Sequence, residues 1–195
     1  MSDPRPGDEP ARLHIRDPGV MRALAHQARL AILEHLMIGG PATATECAKV
    51  CGLSPSATSY HLRAMAKVGL VEQAPGRGDG RERLWRSGIP GGLLVDTDQG
   101  ADPEVRAAEA ELVDAFLIRE ETRTRQALGR RQQESPEWYQ ASAFDQTTLV
   151  LTAEELAEVV GRVRELLRPY VRSRRADPPL DARTVLVMLR AFPTD

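Results

Sequence analysis

Apolar residues first recur with a helical period after Pro18. Leu24, Ala28, Ala31, Ile32 and Leu36 form one stripe, and Leu30, Leu33 and Met37 form a second, so a helix here is apolar on more than one side. Asp17 and Pro18 supply its start, a capping carboxylate followed by a first-turn proline, and Gly39, Gly40 and Pro41 supply its stop. The run from Thr43 to Glu46 has capping-box spacing and opens a short helix that ends before Cys51 and Gly52. Ser54 and Pro55 open a third helix, which ends at Val68 and Gly69. Two short helices joined by residues 51–54 have the size of a helix-turn-helix. Leu70–Ala74, the glycine-rich run 75–80 and Arg81–Arg86 then read as strand, turn and strand. The order helix, helix-turn-helix, hairpin predicts a winged helix over residues 17–90.

The flanks show other patterns. Residues 1–16 carry three prolines and a glycine before any periodicity and read as a mobile tail. Residues 88–101 read as a linker. Asp102 and Pro103 start a long helix reaching about Arg131, inside a segment 102–134. One stripe on it holds Val105, Ala108, Leu112, Ala115 and Phe116; a second seam holds Val113, Leu117, Thr124 and Leu128. Such a helix spans about 43 Å, more than a small domain covers, and its apolar seam predicts a partner helix from a second subunit. Leu112, Phe116 and Leu117 are the expected dimer contacts. Over 135–195, Trp138–Phe144, Thr147–Leu151 and Arg183–Phe192 read as strands around a helix opened by a second capping box, Thr152 to Glu155. The predicted class is mainly α with small β: a winged helix-turn-helix domain, a long dimerisation helix and a small C-terminal α/β unit.

The chain has 195 residues, 42% hydrophobic and 28% charged, which fits a soluble globular protein. Nothing approaches the roughly 20 apolar residues of a membrane span, and the acidic, proline-rich start lacks a signal-peptide pattern. Two cysteines make no disulfide scaffold. The expected location is cytoplasmic, with no membrane partner. The net charge of −2 conceals a division: residues 21–90 hold nine Lys/Arg against five Asp/Glu, and residues 91–195 hold fourteen against nineteen. A basic segment joined to an acidic one predicts an anionic partner for the first.

On the third helix Ala57, Thr58, Leu62 and Met65 fall on the core side. Ser56, Ser59, Tyr60, Arg63 and Lys67 recur at spacings of three and four on the other. Hydroxyls early and cations late suit a recognition helix, whose first residues reach base edges while cations meet phosphate. Ser54 and Ser56 suit a phosphate at the helix start. Arg77 and Arg81, near the hairpin tip, are expected to supply sequence-independent affinity for the DNA backbone.

Other chemistry finds little support. The glycine-rich run 76–80 sits between two strands, whereas a phosphate cradle lies between a strand and a helix. No Ser–His–acid or Cys–His arrangement stands out, so no enzymatic activity is expected. Cys47 and Cys51, four apart, fit core packing better than a soft-metal or redox site. The four histidines show no ligand spacing. No metal and no cofactor are expected.

The stretch from Ala23 to Trp85 resembles the winged-helix repressors of the ArsR/SmtB family. The matching pieces are Leu24–Leu33, Thr45–Ala48, Gly52–Arg63, Gly69–Glu72 and Gly80–Trp85, in order and at the right spacing. The resemblance implies a homodimer that binds an inverted-repeat operator in double-stranded DNA and represses transcription, often released by a signal. The thiolates of metal-sensing members fall at positions held here by Thr43 and Thr45, so a metal-sensing type is not implied. Residues 135–195 lie beyond the family's compact members; they could bind a small-molecule effector, extend the dimer or bind a partner. A protein-interaction or small-molecule sensor module reusing the winged-helix fold is the alternative.

Overall fold

The computed structural model describes residues 13–76, 83–89, 93–95, 100–171, 175 and 177–194. The chain divides into two units, residues 1–130 and 131–195.

The first unit is built on local signals that the sequence displays. Helix α1 (Pro18–Leu24) starts where Asp17 Oδ1 accepts the Val20 amide at 2.9 Å, with Pro18 in the first turn. Helix α2 (Gln27–Gly39) is a separate element, where the apolar pattern predicts one continuous helix. Ala25 and His26 leave the helical conformation, and His26 Nδ1 accepts the Ala28 amide at 3.1 Å, so the imidazole caps α2. The stripes continue across this break because both helices bury their apolar side in one core.

Helix α3 (Ala44–Cys51) opens with both capping-box bonds, Thr43 Oγ1 accepting the Glu46 amide and Glu46 Oε2 accepting the Thr43 amide. It closes at Gly52, whose φ of +67° is left-handed and suits glycine. Helix α4 (Pro55–Lys67) begins after Leu53 and Ser54, so α3 and α4 form the helix-turn-helix.

Strands β3 (Val71–Ala74) and β4 (Leu84–Ser87) pair antiparallel, with Val71 opposite Ser87 and Ala74 opposite Leu84. A short β2 (Ala42–Thr43) adds to the other edge of β4, giving the order β2-β4-β3. The root of the hairpin is tight: a Cβ on Gly88 would stand 2.4 Å from the Gly69 carbonyl oxygen, and Gly69 itself has a φ of +73°. The hairpin tip, residues 77–82, with the expected contacts Arg77 and Arg81, lies outside the described residues.

Two expectations for the flanks change. Part of the expected tail, Leu13–Ile15, is strand β1, which pairs parallel with β5 (Leu93–Val95) inside the expected linker. Ile15 is buried in the core. These segments are far apart in sequence, so nothing local announces their pairing.

Helix α5 (Pro103–Arg130) packs on α1 and α2 through Ala108, Leu112 and Ala115. Polar ties flank that seam. Gln27 Nε2 donates to the Ala115 carbonyl at 2.8 Å, Arg22 pairs with Glu104 at 2.8 Å, and Glu34 receives both Arg119 and Arg123 at 2.5 and 3.0 Å. Leu112, expected as a dimer contact, is instead wholly buried within the chain's own core. The same packing leaves Phe116 half-buried and Val113 and Leu117 about two-fifths exposed, at 40% and 41%.

The second unit contains α6 (Pro136–Ala141) and α7 (Ala153–Leu167), the latter opened by both capping-box bonds of Thr152 and Glu155. Pro169 falls in a 3₁₀ turn, Arg168–Tyr170, that ends the helix. The three expected strands are not formed. Trp138–Phe144 begins as α6, with Pro136 in its first turn, and Thr147–Leu151 and Arg183–Phe192 contain no strand. Apolar runs show how a segment would be buried, but a strand also needs a neighbouring backbone to bond.

Candidate nucleic-acid interface

Helix α4 is two-faced. Thr58, Leu62 and Met65 are fully buried, at 0% exposure, and fix the helix on the core formed with α2 and α3. Thr58 is the buried polar residue, and its hydroxyl donates to the Ser54 carbonyl at 2.9 Å. Ser56, Tyr60, Arg63 and Lys67 are exposed on the other face, with Tyr60 at 62%, and Ser59 is half-buried at its margin. These five of the expected contact residues thus share one side of α4. Ala57, expected on the core side, is half-buried.

Ser54 caps α4 as the Ser54–Pro55 start predicts: its Oγ accepts the Ala57 amide at 3.2 Å, a bond that leaves the hydroxyl's own hydrogen to donate. Pro55 has no amide, which leaves the Ser56 amide and hydroxyl as the next donors facing out. Arg63 and Lys67 form no ion pair with a described residue. Arg86 on the wing does, with Glu72 across the strand pair at 2.8 Å, so its charge is offset.

The cysteines sit on the inner side of α3. Cys47 is buried, and burial, followed by the neighbouring Cys51 and Glu46, pushes its thiol up to about 11. A thiol held that far above neutrality stays protonated and is a poor metal ligand or nucleophile. Cys51 Sγ donates to the Cys47 carbonyl at 3.2 Å. Among the described residues no group of three or more His, Cys, Asp or Glu is placed to hold a metal ion, and no helix is long and apolar enough to cross a membrane.

A feature invisible in the sequence joins α2 to the inner end of this interface. The rings of His26 and His61 stand 4.6 Å apart, and Arg29 Nε donates to His61 Nδ1 at 3.4 Å while its Nη1 donates to the Ala23 carbonyl. Both imidazoles act as acceptors at Nδ1, so each holds its proton at Nε2 here. Burial first, then His26 and Arg29, lowers the pKa of His61. Below the ordinary imidazole value of about 6.5, the unfolded chain takes up a proton that the folded state resists. Stability is therefore expected to be full above that value and to fall as pH drops toward the lowered folded value. Thermal melts at pH 7 and pH 5 check this. His61→Gln should lose less on acidification than the parent, and an equal loss in both proteins would remove His61 as the cause.

Against known proteins, residues 24–74 match the family model described as a helix-turn-helix domain. That span begins at the end of α1 and closes with β3, so it holds α2, the α3–α4 pair and the first wing strand. The domain is a winged helix-turn-helix. A search of curated proteins found no match. Solved structures similar to the chain include the YusO protein from Bacillus subtilis, at 16% identity and a TM-score of 0.32, covering 76% of this chain and 82% of that one. MarR from E. coli is similar at 16% identity and 0.32, covering 78% and 88%. A MarR variant complexed with operator DNA is similar at 18% and 0.32, covering 76% and 83%. Within the winged helix-turn-helix domain, α4 occupies the position of the second helix of the motif, and β3 and β4 form the stem of the wing.

Proposed function

We propose that this protein is a sequence-specific reader of double-stranded DNA that regulates transcription, acting as a homodimeric repressor on an inverted-repeat operator. The observation that carries the reading is the outward face of α4, where Ser56, Ser59, Tyr60, Arg63 and Lys67 stand opposite buried Thr58, Leu62 and Met65. A helix fixed on one side and polar on the other presents its first turns to base edges and its later cations to phosphate. In this reading Arg77 and Arg81 add backbone contacts from the wing, and Ser54 acts by holding the start of α4. The resemblance to ArsR/SmtB repressors and the match to a helix-turn-helix domain support the same assignment.

The dimer is assigned to the outward seam of α5. Val113, Leu117 and Ile118 are 40–57% exposed and Leu128 is 44% exposed, while the opposite seam is consumed inside the protomer. Two such helices packed about a two-fold axis would cover this seam and place two α4 helices on one side of a duplex. Phe116 borders the seam.

Selection from a random duplex pool, at one stated near-physiological salt, tests the proposal. Enrichment of a palindromic site, with half-sites about one helical turn or a multiple of it apart, is the expected result. Binding that never enriches a sequence would refute sequence-specific reading by the protein alone. Loss of all duplex binding would favour a protein-interaction role for the same face.

A further inference from the structure

A cluster of nitrogen groups stands along one flank of α4. His61 shares that flank with Ala57 and Ala64, four residues before it and three after, and is one step round the helix from outward-facing Tyr60. The Tyr60 ring meets the His61 ring edge-on at 5.8 Å, and the His26 ring, from the start of α2, stands 4.6 Å from His61 on another side. His26 is exposed, and Arg29 and His61 are half-buried.

The chemistry of the cluster fits an anion. Among the described residues no carboxylate pairs with Arg29, His26 or His61. Other arginines of this unit are matched: Arg22 by Glu104, Arg86 by Glu72, and Arg119 and Arg123 by Glu34. A half-buried guanidinium without a counter-ion is held at an electrostatic cost that an arriving anion offsets. The imidazoles are turned to help. Each Nδ1 is already engaged as an acceptor, from the Ala28 amide or from Arg29 Nε, so each ring keeps its proton at Nε2. Neither Nε2–H has an acceptor among the described residues. Arg29 is itself held by two bonds, to His61 Nδ1 and to the Ala23 carbonyl, which use only part of its N–H fork.

The position indicates which anion. A helix with its side chains is about 10–12 Å across and a major groove is about 12 Å wide. A reading helix therefore has bases in front of its outward face and sugar-phosphate walls along its flanks. The cluster stands on such a flank, beside Tyr60.

We propose that His26, Arg29 and His61 form a backbone-phosphate site on the flank of α4, the imidazoles donating through Nε2 and the guanidinium supplying the charge. This rests on the reading of α4 as the DNA-reading helix and adds a contact from α2 that the helix-turn-helix itself does not contain.

The test measures duplex affinity of the full-length chain by fluorescence anisotropy at pH 8, where both imidazoles are neutral. In the double variant His26→Asn with His61→Asn, an amide oxygen can take the place of each Nδ1 while both Nε2 donors are lost. In His26→Gln with His61→Gln, an amide nitrogen keeps a donor near each Nε2 position. The double-Asn variant should bind the selected duplex and an unrelated one about tenfold more weakly, by the same factor for both, because a phosphate contact is blind to sequence. The double-Gln variant should stay within about threefold of the parent. Neutral methylphosphonates, placed one at a time along the selected duplex, should reveal a position in each half-site that weakens the parent and has no further effect on the double-Asn variant. A double-Asn variant that binds like the parent overturns the site. So does a weakened one for which every methylphosphonate costs as much as it does the parent, because the histidines would then act only through the placement of α4. If the double-Asn variant melts early, His26→Asn alone, at the exposed ring, takes its place in the same comparison. A parent that binds no duplex overturns the reading of α4, and the site with it, whatever the histidine variants do.

Discussion

Replacing Leu62 by alanine is expected to destabilise the winged helix-turn-helix unit by about 3 kcal/mol, within the range for a fully buried leucine. Leu62 is 0% exposed and belongs to the same core cluster as Ile32, Leu33 and Trp85. The loss combines transfer of the side chain with a cavity that α4, capped at Ser54 and bounded by Thr58 and Met65, has little freedom to close. For a unit of this size the midpoint should drop by roughly 10–20 °C. Urea denaturation and a thermal melt measure it. A midpoint within roughly 2 °C of the parent would mean that the inner face of α4 does not seat on this core.

The opposite face of α4 carries the second large effect. The double change Ser59→Ala and Arg63→Ala should leave the melting midpoint close to that of the parent, because Arg63 is exposed and Ser59 sits at the margin. Affinity for the selected duplex should fall at least about 100-fold, since base or phosphate contacts worth roughly 1–3 kcal/mol each are lost in both half-sites. Affinity for unrelated duplex should fall far less, which lowers the specificity ratio as well as the binding constant. Fluorescence anisotropy at one fixed salt, with both duplexes, separates the two. Survival of specific binding in a folded double variant would remove α4 as the reading helix. The Leu62 and Ser59/Arg63 results form a pair: the first should lower stability before binding, and the second binding without stability.

The contrast between the α4 faces was readable from spacing alone, because a helix sorts residues by position at 3.6 per turn and the cap at Ser54 sets where that count begins. The cap at Ser54 was equally readable, since a serine before a first-turn proline suits a helix start, and the Ala57 amide donates to its Oγ. The His26–Arg29–His61 cluster left no trace in the sequence, since its members are brought together by the packing of α2 against α4. Arg77 and Arg81 fall outside the described residues, so their contribution rests on the wing assignment.

Helix α5 shows the same division at larger scale. Its start, length and two apolar seams are set by Asp102, Pro103 and the spacing of its side chains. Nothing in that spacing says which seam is used within the protomer. Packing against α1 assigns Ala108, Leu112 and Ala115 to the core and releases Val113 and Leu117, and Gln27, Arg22 and Glu34 hold that choice in place.

By itself the sequence determined what depends on neighbours within a few residues: four side-chain-capped helix starts at Asp17, Thr43, Ser54 and Thr152, the helix-turn-helix and wing, and the polar outer face of α4. Tertiary structure alone decided the break between α1 and α2, the β1–β5 pairing, the burial of Leu112 and the lack of strand at 147–151 and 183–192. The physical reason is range. A capping bond or a helical stripe is closed by residues three or four apart, whereas a strand or a buried seam is completed only by a distant segment that local pattern does not specify.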